Sequence, residues 1–336
     1  MSEVIYLIGA GASYGKRRIN NKTGEEIPGE IERGLPIVNQ LEPAIDFFCR
    51  NIGPYNSDSY YDAEYPNLYR ELTWLRDLCK TYPTIDTYAK KLFVTGDKRG
   101  LSRLKKALSA FFVLIQSHEK RDLRYDGFIA SIIGDDGSLP NQISILSWNY
   151  DYQIEFVLQD FSPIKIELLQ VWQKQGITCK GFNSSINNTT FNCVKLNGTA
   201  MFSNSDGELI DPLFYDNDRI EKCYSYGNDS WRSNISFAWE KDESFIDSVL
   251  PLIMDTKVLV IIGYSFPYVN RAIDRKLVQN MNALRTVYIQ DKAALDVKQS
   301  FETLLSNTQQ RLINNNKMHI YPITSVAQFM IPNELG

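Results

Sequence analysis

Five consecutive apolar residues, Val4–Ile8, run straight into Gly9-Ala10-Gly11-Ala12-Ser13. A short apolar run with no polar alternation suits a strand covered on both faces, which is the setting of a parallel sheet between helices. Val258–Ile262 repeats the pattern and runs into Gly263-Tyr264-Ser265-Phe266. Ile143–Leu146, Ile164–Trp172, Phe191–Leu196, Thr286–Ile289 and Met318–Tyr321 read as further strands. Helical patterns fall between them: Pro36 to Arg50, Gln153–Leu158, Phe237–Met254, a stretch reaching Met281, and Ala293–Leu305. The fold class expected is α/β, a Rossmann-like parallel sheet of about six strands with helices on both faces. Residues 1–336 read as one domain, with a helical insertion at about 53–120 in which Leu68, Leu72, Leu75 and Leu78 set the helical spacing. Lys16–Arg33 reads as a charged loop over the glycine turn, while Ile52–Pro66, Phe182–Thr190 and Ser203–Ser233 read as irregular or turn segments.

The balance of charge excludes some partners. Lys and Arg number 36 against 40 Asp and Glu, a net charge of −4. With no overall positive field, direct binding of nucleic acid is not expected. No apolar run approaches the length of a membrane span, and Val4–Ile8 is too short for a signal-peptide core, so a cytoplasmic protein is expected. The five cysteines (Cys49, Cys79, Cys179, Cys193, Cys223) form no C-x-x-C pair, and only His118 and His319 accompany them. That spacing offers no metal site, and the cysteines read as reduced, buried thiols.

The candidate chemistry lies just after the strands, where open α/β sheets bind ligands. Gly9-Ala10-Gly11-Ala12-Ser13 supplies G-x-G, which lets the backbone approach a pyrophosphate, and a following helix start would add N–H donors. The third glycine of the dinucleotide fingerprint is absent, since Tyr14 stands there, so a purely structural turn is an alternative. Gly34-Leu35-Pro36 follows downstream. Trp148-Asn149-Tyr150-Asp151 follows one strand, Lys195-Leu196-Asn197-Gly198 another, and Gly263-Tyr264-Ser265-Phe266 a third, with Asp291 after the next. Asn149 can donate and accept at once, as holding a ribose hydroxyl or a water requires. Asp151 also stands where the helix from Gln153 needs an N-cap. Trp148, Trp172, Trp231 and Trp239 read as core, with a nucleotide pocket as the alternative.

Taken together, G-A-G-A-S with G-L-P, the N-Y-D segment, the K-L-N-G segment and G-Y-S-F resemble the sirtuin-like family. The likeness is to its divergent NAD-hydrolysing branch of bacterial antiviral defence, and it runs from Val4 to about Ile289. Pro83–Phe93 also looks like a helix of that branch. The resemblance implies NAD or ADP-ribose as ligand, with Gly9–Ser13 and Pro36 around the pyrophosphate and Gly263, Ser265, Phe266 and Asp291 near the adenosine half. It places Asn149 and Asp151 at the nicotinamide ribose, and Asn197 and Gly198 in the segment that carries the catalytic base. It implies a homo-oligomer or a separate defence subunit that senses the trigger. One departure is sharp: the family's usual K-L-H-G carries a histidine base, and Asn197, which cannot accept a proton at neutral pH, replaces it. Loss of a general base lowers rates by about 10²–10⁴. Two functions therefore follow: NAD hydrolysis with the base replaced, or a catalytically impaired nucleotide-binding sensor or scaffold. The paired C-x-x-C motifs of the protein-deacylating members are absent.

Overall fold

The computed structural model describes residues 2–335 apart from 54–62, 119, 163, 165, 181–185, 188, 207, 211–216, 225–229 and 241–242. The chain opens with β1 (Val4–Ile8) and an antiparallel hairpin of β2 (Lys16–Ile19) and β3 (Glu26–Arg33). Five helices follow: α1 (Leu41–Ile52), α2 (Pro66–Thr81), α3 (Ile85–Val94), α4 (Lys98–His118) and α5 (Leu123–Ile132). Next come β4 (Ile143–Ser147), α6 (Gln153–Asp160), α7 (Leu168–Gln175), β5 (Ile177–Cys179) and β6 (Asn192–Lys195). A small antiparallel sheet of β7 (Gly198–Ser203), β8 (Leu209–Ile210) and β9 (Arg232–Ile235), with α8 (Asn217–Lys222) before β9, packs on α4. The chain closes with α9 (Glu243–Ile253), β10 (Val258–Ile262), α10 (Arg271–Asn280), β11 (Thr286–Gln290), α11 (Ala294–Glu302), α12 (Asn307–Asn314) and β12 (His319–Ile323).

The central sheet has seven strands in the order β12-β11-β10-β1-β4-β6-β5, every pair parallel. It is the expected α/β class, a Rossmann-like parallel sheet. Alternate residues of each strand feed two separate cores. Tyr6, Ile145 and Val260 face one, and Leu7, Leu146 and Ile261 the other. Both faces are apolar, so β1, β4 and β10 are buried at every position, and the continuous apolar runs follow from that burial.

Register decides where the motifs meet. Ile8 pairs with Ile262 on one side and Ser147 on the other, Ser147 pairs with Lys195, and Ile262 pairs with Gln290. The C-terminal ends of five strands are therefore level, and Gly9, Trp148, Leu196, Gly263 and Asp291 leave them side by side. Strand order departs in opposite directions from β1, toward β4 and toward β10. The crevice at such a reversal is where open α/β sheets take ligands.

Several expectations are corrected. Lys16–Arg33 is a hairpin, not a loop: its charges pair across the strands (Lys16–Glu32 at 2.9 Å), and its inward position is Arg17, fully buried. The Arg17 guanidinium donates to Gln40 Oε1 and to the carbonyls of Tyr14 and Leu35, so a strand with a charged inner face is satisfied. The strand expected over Ile164–Trp172 gives way to α7, whose Leu168, Val171 and Trp172 share a buried face at helical spacing and which stops at left-handed Gly176. Pro36 does not open a helix; a 3₁₀ turn at Val38–Gln40 separates it from α1. The helix expected from Phe237 begins at Glu243. The segments Ile52–Pro66, Phe182–Thr190 and Ser203–Ser233 lie partly outside the described residues.

Candidate functional site

The glycine turn is followed not by a helix but by a single 3₁₀ turn, Ala10–Ser13, and then the β2–β3 hairpin. The helix start expected to add donors is therefore missing. Most of the turn's amides are also engaged. Gly9 N–H donates to Ile262 O (3.0 Å), Gly11 N–H to Gly263 O (2.9 Å) and Ala12 N–H to Gly9 O (2.9 Å). The β1 and β10 turns touch backbone to backbone. A Cβ on Gly11 would lie 2.8 Å from Gly263 Cα, and one on Gly263, at φ 58°, would lie 2.2 Å from Ala12 N. Those two glycines are required by turn–turn contact alone.

Beneath the turn sits a buried polar cluster. Ser13 Oγ donates to Asp151 Oδ2 (2.6 Å), lies 2.9 Å from the Tyr125 hydroxyl, and accepts from Asn149 Nδ2 (3.2 Å). A hydroxyl has one proton and two lone pairs. With its proton on Asp151, Ser13 accepts from both Tyr125 and Asn149 and is saturated. Asn149 Nδ2 also donates to Gly9 O at 2.9 Å, tying β4 to the glycine turn. Asp151 Oδ1 accepts the Gln153 amide at 3.3 Å from one residue ahead of the N-cap position of α6, which Tyr152 holds.

The electrostatics of the cluster are set by one buried ion pair. Lys195 Nζ lies 2.8 Å from Glu155 Oε1, both side chains almost fully inaccessible, and it donates to the Asp151 carbonyl as well. Burial works against the Lys195 ammonium, but Glu155 and Asp151 outweigh it and hold its pKa above the ordinary lysine value. Burial likewise pushes the Asp151 carboxyl up, opposed by Lys195 and the Ser13 hydroxyl. Tyr125 stays protonated, through burial first and then the nearby Asp151 charge.

Asn197 follows β6 and is 7% exposed. Its Nδ2 donates to Trp148 O at 3.3 Å, and its backbone carbonyl accepts from Ser236 N at 2.7 Å. Its Oδ1 is buried and has no hydrogen-bond partner among the described residues. An unmet buried acceptor costs about 1–3 kcal/mol. Gly198 begins β7 directly after it.

The remaining sequence-derived residues are spread around the rim. Pro36 is buried beside Leu35, whose amide donates to Ser13 O at 2.6 Å. Ala10 and Ser265 are exposed. Phe266 is buried at φ 54° against Tyr264, and Tyr264 stacks on Trp148 at 6.0 Å. Asp291 Oδ1 accepts from Ala293 N at 2.8 Å, at the start of α11. A cleft of about 260 Å³ borders the turn at Gly15, Lys16, Arg33, Arg124 and Gln328, without reaching Asn149, Asp151 or Asn197. His319 starts the edge strand β12, at the end of the sheet away from the C-terminal strand ends. The described residues contain no cluster of three metal-ligating side chains and no helix long and apolar enough to cross a membrane. All five cysteines are free thiols.

Sequence reading missed Tyr125, Gln153, Glu155 and Arg124. Each acts across a long stretch of chain, and only the polar residues within α6, buried on a short helix, offered any local signal.

The chain matches no protein-family model and no curated protein. Among solved structures it is similar to a Sir2 histidine-to-alanine variant described with deacetylated p53 peptide and 3′-O-acetyl ADP-ribose. The identity is 11%, the TM-score 0.37, and the match covers 94% of each chain. The fold assignment rests on the strand order and register above.

Proposed function

We propose that this chain binds NAD in the crevice at the C-terminal ends of β1 and its neighbouring strands, beside the touching β1 and β10 turns, and hydrolyses its nicotinamide–ribose bond. Water adds to the ribose carbon, nicotinamide leaves with the bonding electron pair, and the water's proton passes to solvent; ADP-ribose is the other product. The observation that carries this reading is Asn197 Oδ1, a buried acceptor beyond the end of β6 with no donor among the described residues. A ribose hydroxyl or the attacking water supplies the donor it lacks. In the same reading, Asn149 and Asp151 shape the ribose side, and the paired glycine turns let the pyrophosphate approach the backbone. The bond broken leaves a strongly electrophilic oxocarbenium-like carbon, so a water held by Asn197 sustains slow, residual hydrolysis without a base. The resemblance to the antiviral branch supports NAD depletion during abortive infection as the setting, with trigger recognition in a homo-oligomer or a separate subunit. Sizing by light scattering tests that assembly.

A second reading has its own support. Asp151 is hydrogen-bonded at both oxygens, and Asn197 cannot take a proton. A site without a free base suits a nucleotide-binding sensor or scaffold. An NAD-consumption assay on wild type, Asn149→Ala and Asn197→His separates the two. Hydrolysis predicts slow turnover in wild type, its loss in Asn149→Ala, and a gain of one to several decades in Asn197→His, on the order of the general-base effect of 10²–10⁴. ADP-ribose binding with no turnover in any form establishes the sensor, and absence of binding to NAD and ADP-ribose alike refutes both.

A further inference from the structure

Arg124, in the first turn of α5, is in contact with three separate parts of the molecule. Its Nε lies 3.1 and 3.0 Å from the two Asp122 carboxylate oxygens. One terminal nitrogen donates to Gly11 O (3.3 Å) and Ala12 O (3.0 Å), and the other donates to Val326 O (3.2 Å). The side chain is 13% exposed. Residues 324–332 carry no regular structure, yet they are firmly held. Gln290, at the level C-terminal end of β11, donates to Ser325 O and Gln328 O (2.7 Å each) and accepts from Met330 N (3.0 Å). Phe329 packs edge-on to Tyr125 at 4.9 Å, with the Arg124 guanidinium 5.2 Å from its ring.

We propose that Arg124 is a positioning residue through which the seating of this C-terminal strap sets the shape of the glycine turn; the proposal rests on the nucleotide-binding reading. The physical route is short. Across a trans peptide the C=O and the following N–H point in opposite directions. A guanidinium gripping Gly11 O and Ala12 O fixes two successive peptide planes, and so the directions of the Ala12 and Ser13 amides. The same ion pair reaches Asp151, because the Asp122 amide donates to Gln153 Oε1 (2.8 Å) and the Gln153 amide donates to Asp151 Oδ1. All three Arg124 nitrogens already donate to protein acceptors, and its two bonds to successive turn carbonyls make the turn the part of the site on which it acts. Asp122 also cancels its charge locally. Strap, turn and ribose-side carboxylate thus share one buried ion pair, and loosening the strap loosens the turn.

The test uses the full chain with ADP-ribose as the calorimetric probe and NAD as substrate. The variants are Arg124→Lys, Gln290→Ala and their double. Phe329→Leu, which loosens the strap without removing a hydrogen bond, is the second probe should Arg124→Lys fail to fold. Each single variant is expected to weaken ADP-ribose binding by about 2- to 30-fold, the range for coupling through packed networks. KM for NAD should rise with kcat little changed, and the double should be no worse than its weaker-binding parent. A merely structural role would lower the folded fraction and leave KM where it was. Unchanged ADP-ribose affinity in folded variants overturns the proposal, as do strictly additive losses. Wild-type protein that binds neither ADP-ribose nor NAD overturns the nucleotide reading itself, a result distinct from either.

Discussion

Replacing Gly263 by Ala tests whether the contact between the two turns holds the crevice together. Gly263 adopts φ 58°, a conformation that costs an L side chain about 1–2 kcal/mol. Its added Cβ would fall 2.2 Å from Ala12 N and 2.3 Å from Gly11 C, backbone atoms that cannot rotate aside. The turns must separate, stretching the 2.9 Å bond from Gly11 N–H to Gly263 O. Adding roughly 1 kcal/mol for that bond and a similar amount for the loosened packing gives a cost on the order of 3–4 kcal/mol. Gly24 provides the control. It is also left-handed, at φ 72°, but nothing lies within 4 Å of where its Cβ would be, so Gly24→Ala should cost only the conformational part. Urea unfolding of both variants measures the difference, provided the slope m is unchanged. Equal costs for Gly263→Ala and Gly24→Ala would refute the claim that close approach, not backbone conformation alone, requires the glycine.

Two further outcomes follow from buried polar groups. Burial pushes the Asp274 carboxyl up to about 8, against the opposing hydrogen bond from the Tyr264 hydroxyl. The folded state thus holds a proton that the unfolded chain releases near pH 4. This group's stabilising contribution is complete below about pH 4 and is lost as pH rises toward and through 8. Asp274→Asn should therefore gain on wild type between pH 6 and 9, by roughly 1–3 kcal/mol in urea unfolding; a constant difference across that range would contradict the assignment. Ser13→Ala removes a saturated hydroxyl and leaves Asp151 and Tyr125 each short of a partner, so it should destabilise by about 1–3 kcal/mol. A thermal midpoint equal to wild type would show that water replaces the hydroxyl.

The sequence was most readable where local pattern and global environment agree. β1 and β10 are uniformly apolar because both faces are covered, and each ends at a glycine because two turns meet there. The β2–β3 hairpin was hidden for the opposite reason. Lys16, Arg18, Glu30 and Glu32 pair across it at the surface, and its inner face carries an arginine satisfied by residues 14, 35 and 40. α7 was misread because a short helix with Leu168, Val171 and Trp172 buried has nearly the composition of a strand. At the site, residues that follow strands could be placed because parallel register brings strand ends level. Tyr125 and Arg124 could not, since Ser13, the turn carbonyls and Val326 lie 112 or more residues from them and no local pattern encodes that pairing.

The same glycines now carry two explanations, and a count of free hydrogen-bonding groups decides how much weight the ligand needs to bear. A dinucleotide fingerprint accounts for Gly9 and Gly11 by the approach of a pyrophosphate. Contact with the β10 turn accounts for Gly11 and Gly263 without any ligand. The groups under the turn are committed as well: the Ser13 hydroxyl is saturated, both Asp151 oxygens accept, and the Asn149 amide nitrogen donates twice. Under the proposed function, ligand recognition would fall to groups these bonds leave open, among them Asn197 Oδ1 and the exposed Ser265. That makes Asn197 the informative position. Its amide keeps one hydrogen bond to Trp148 O and, among the described residues, presents the opposite atom unpaired, so under the proposed function a histidine in its place would change the proton chemistry and the fit of a bound sugar together.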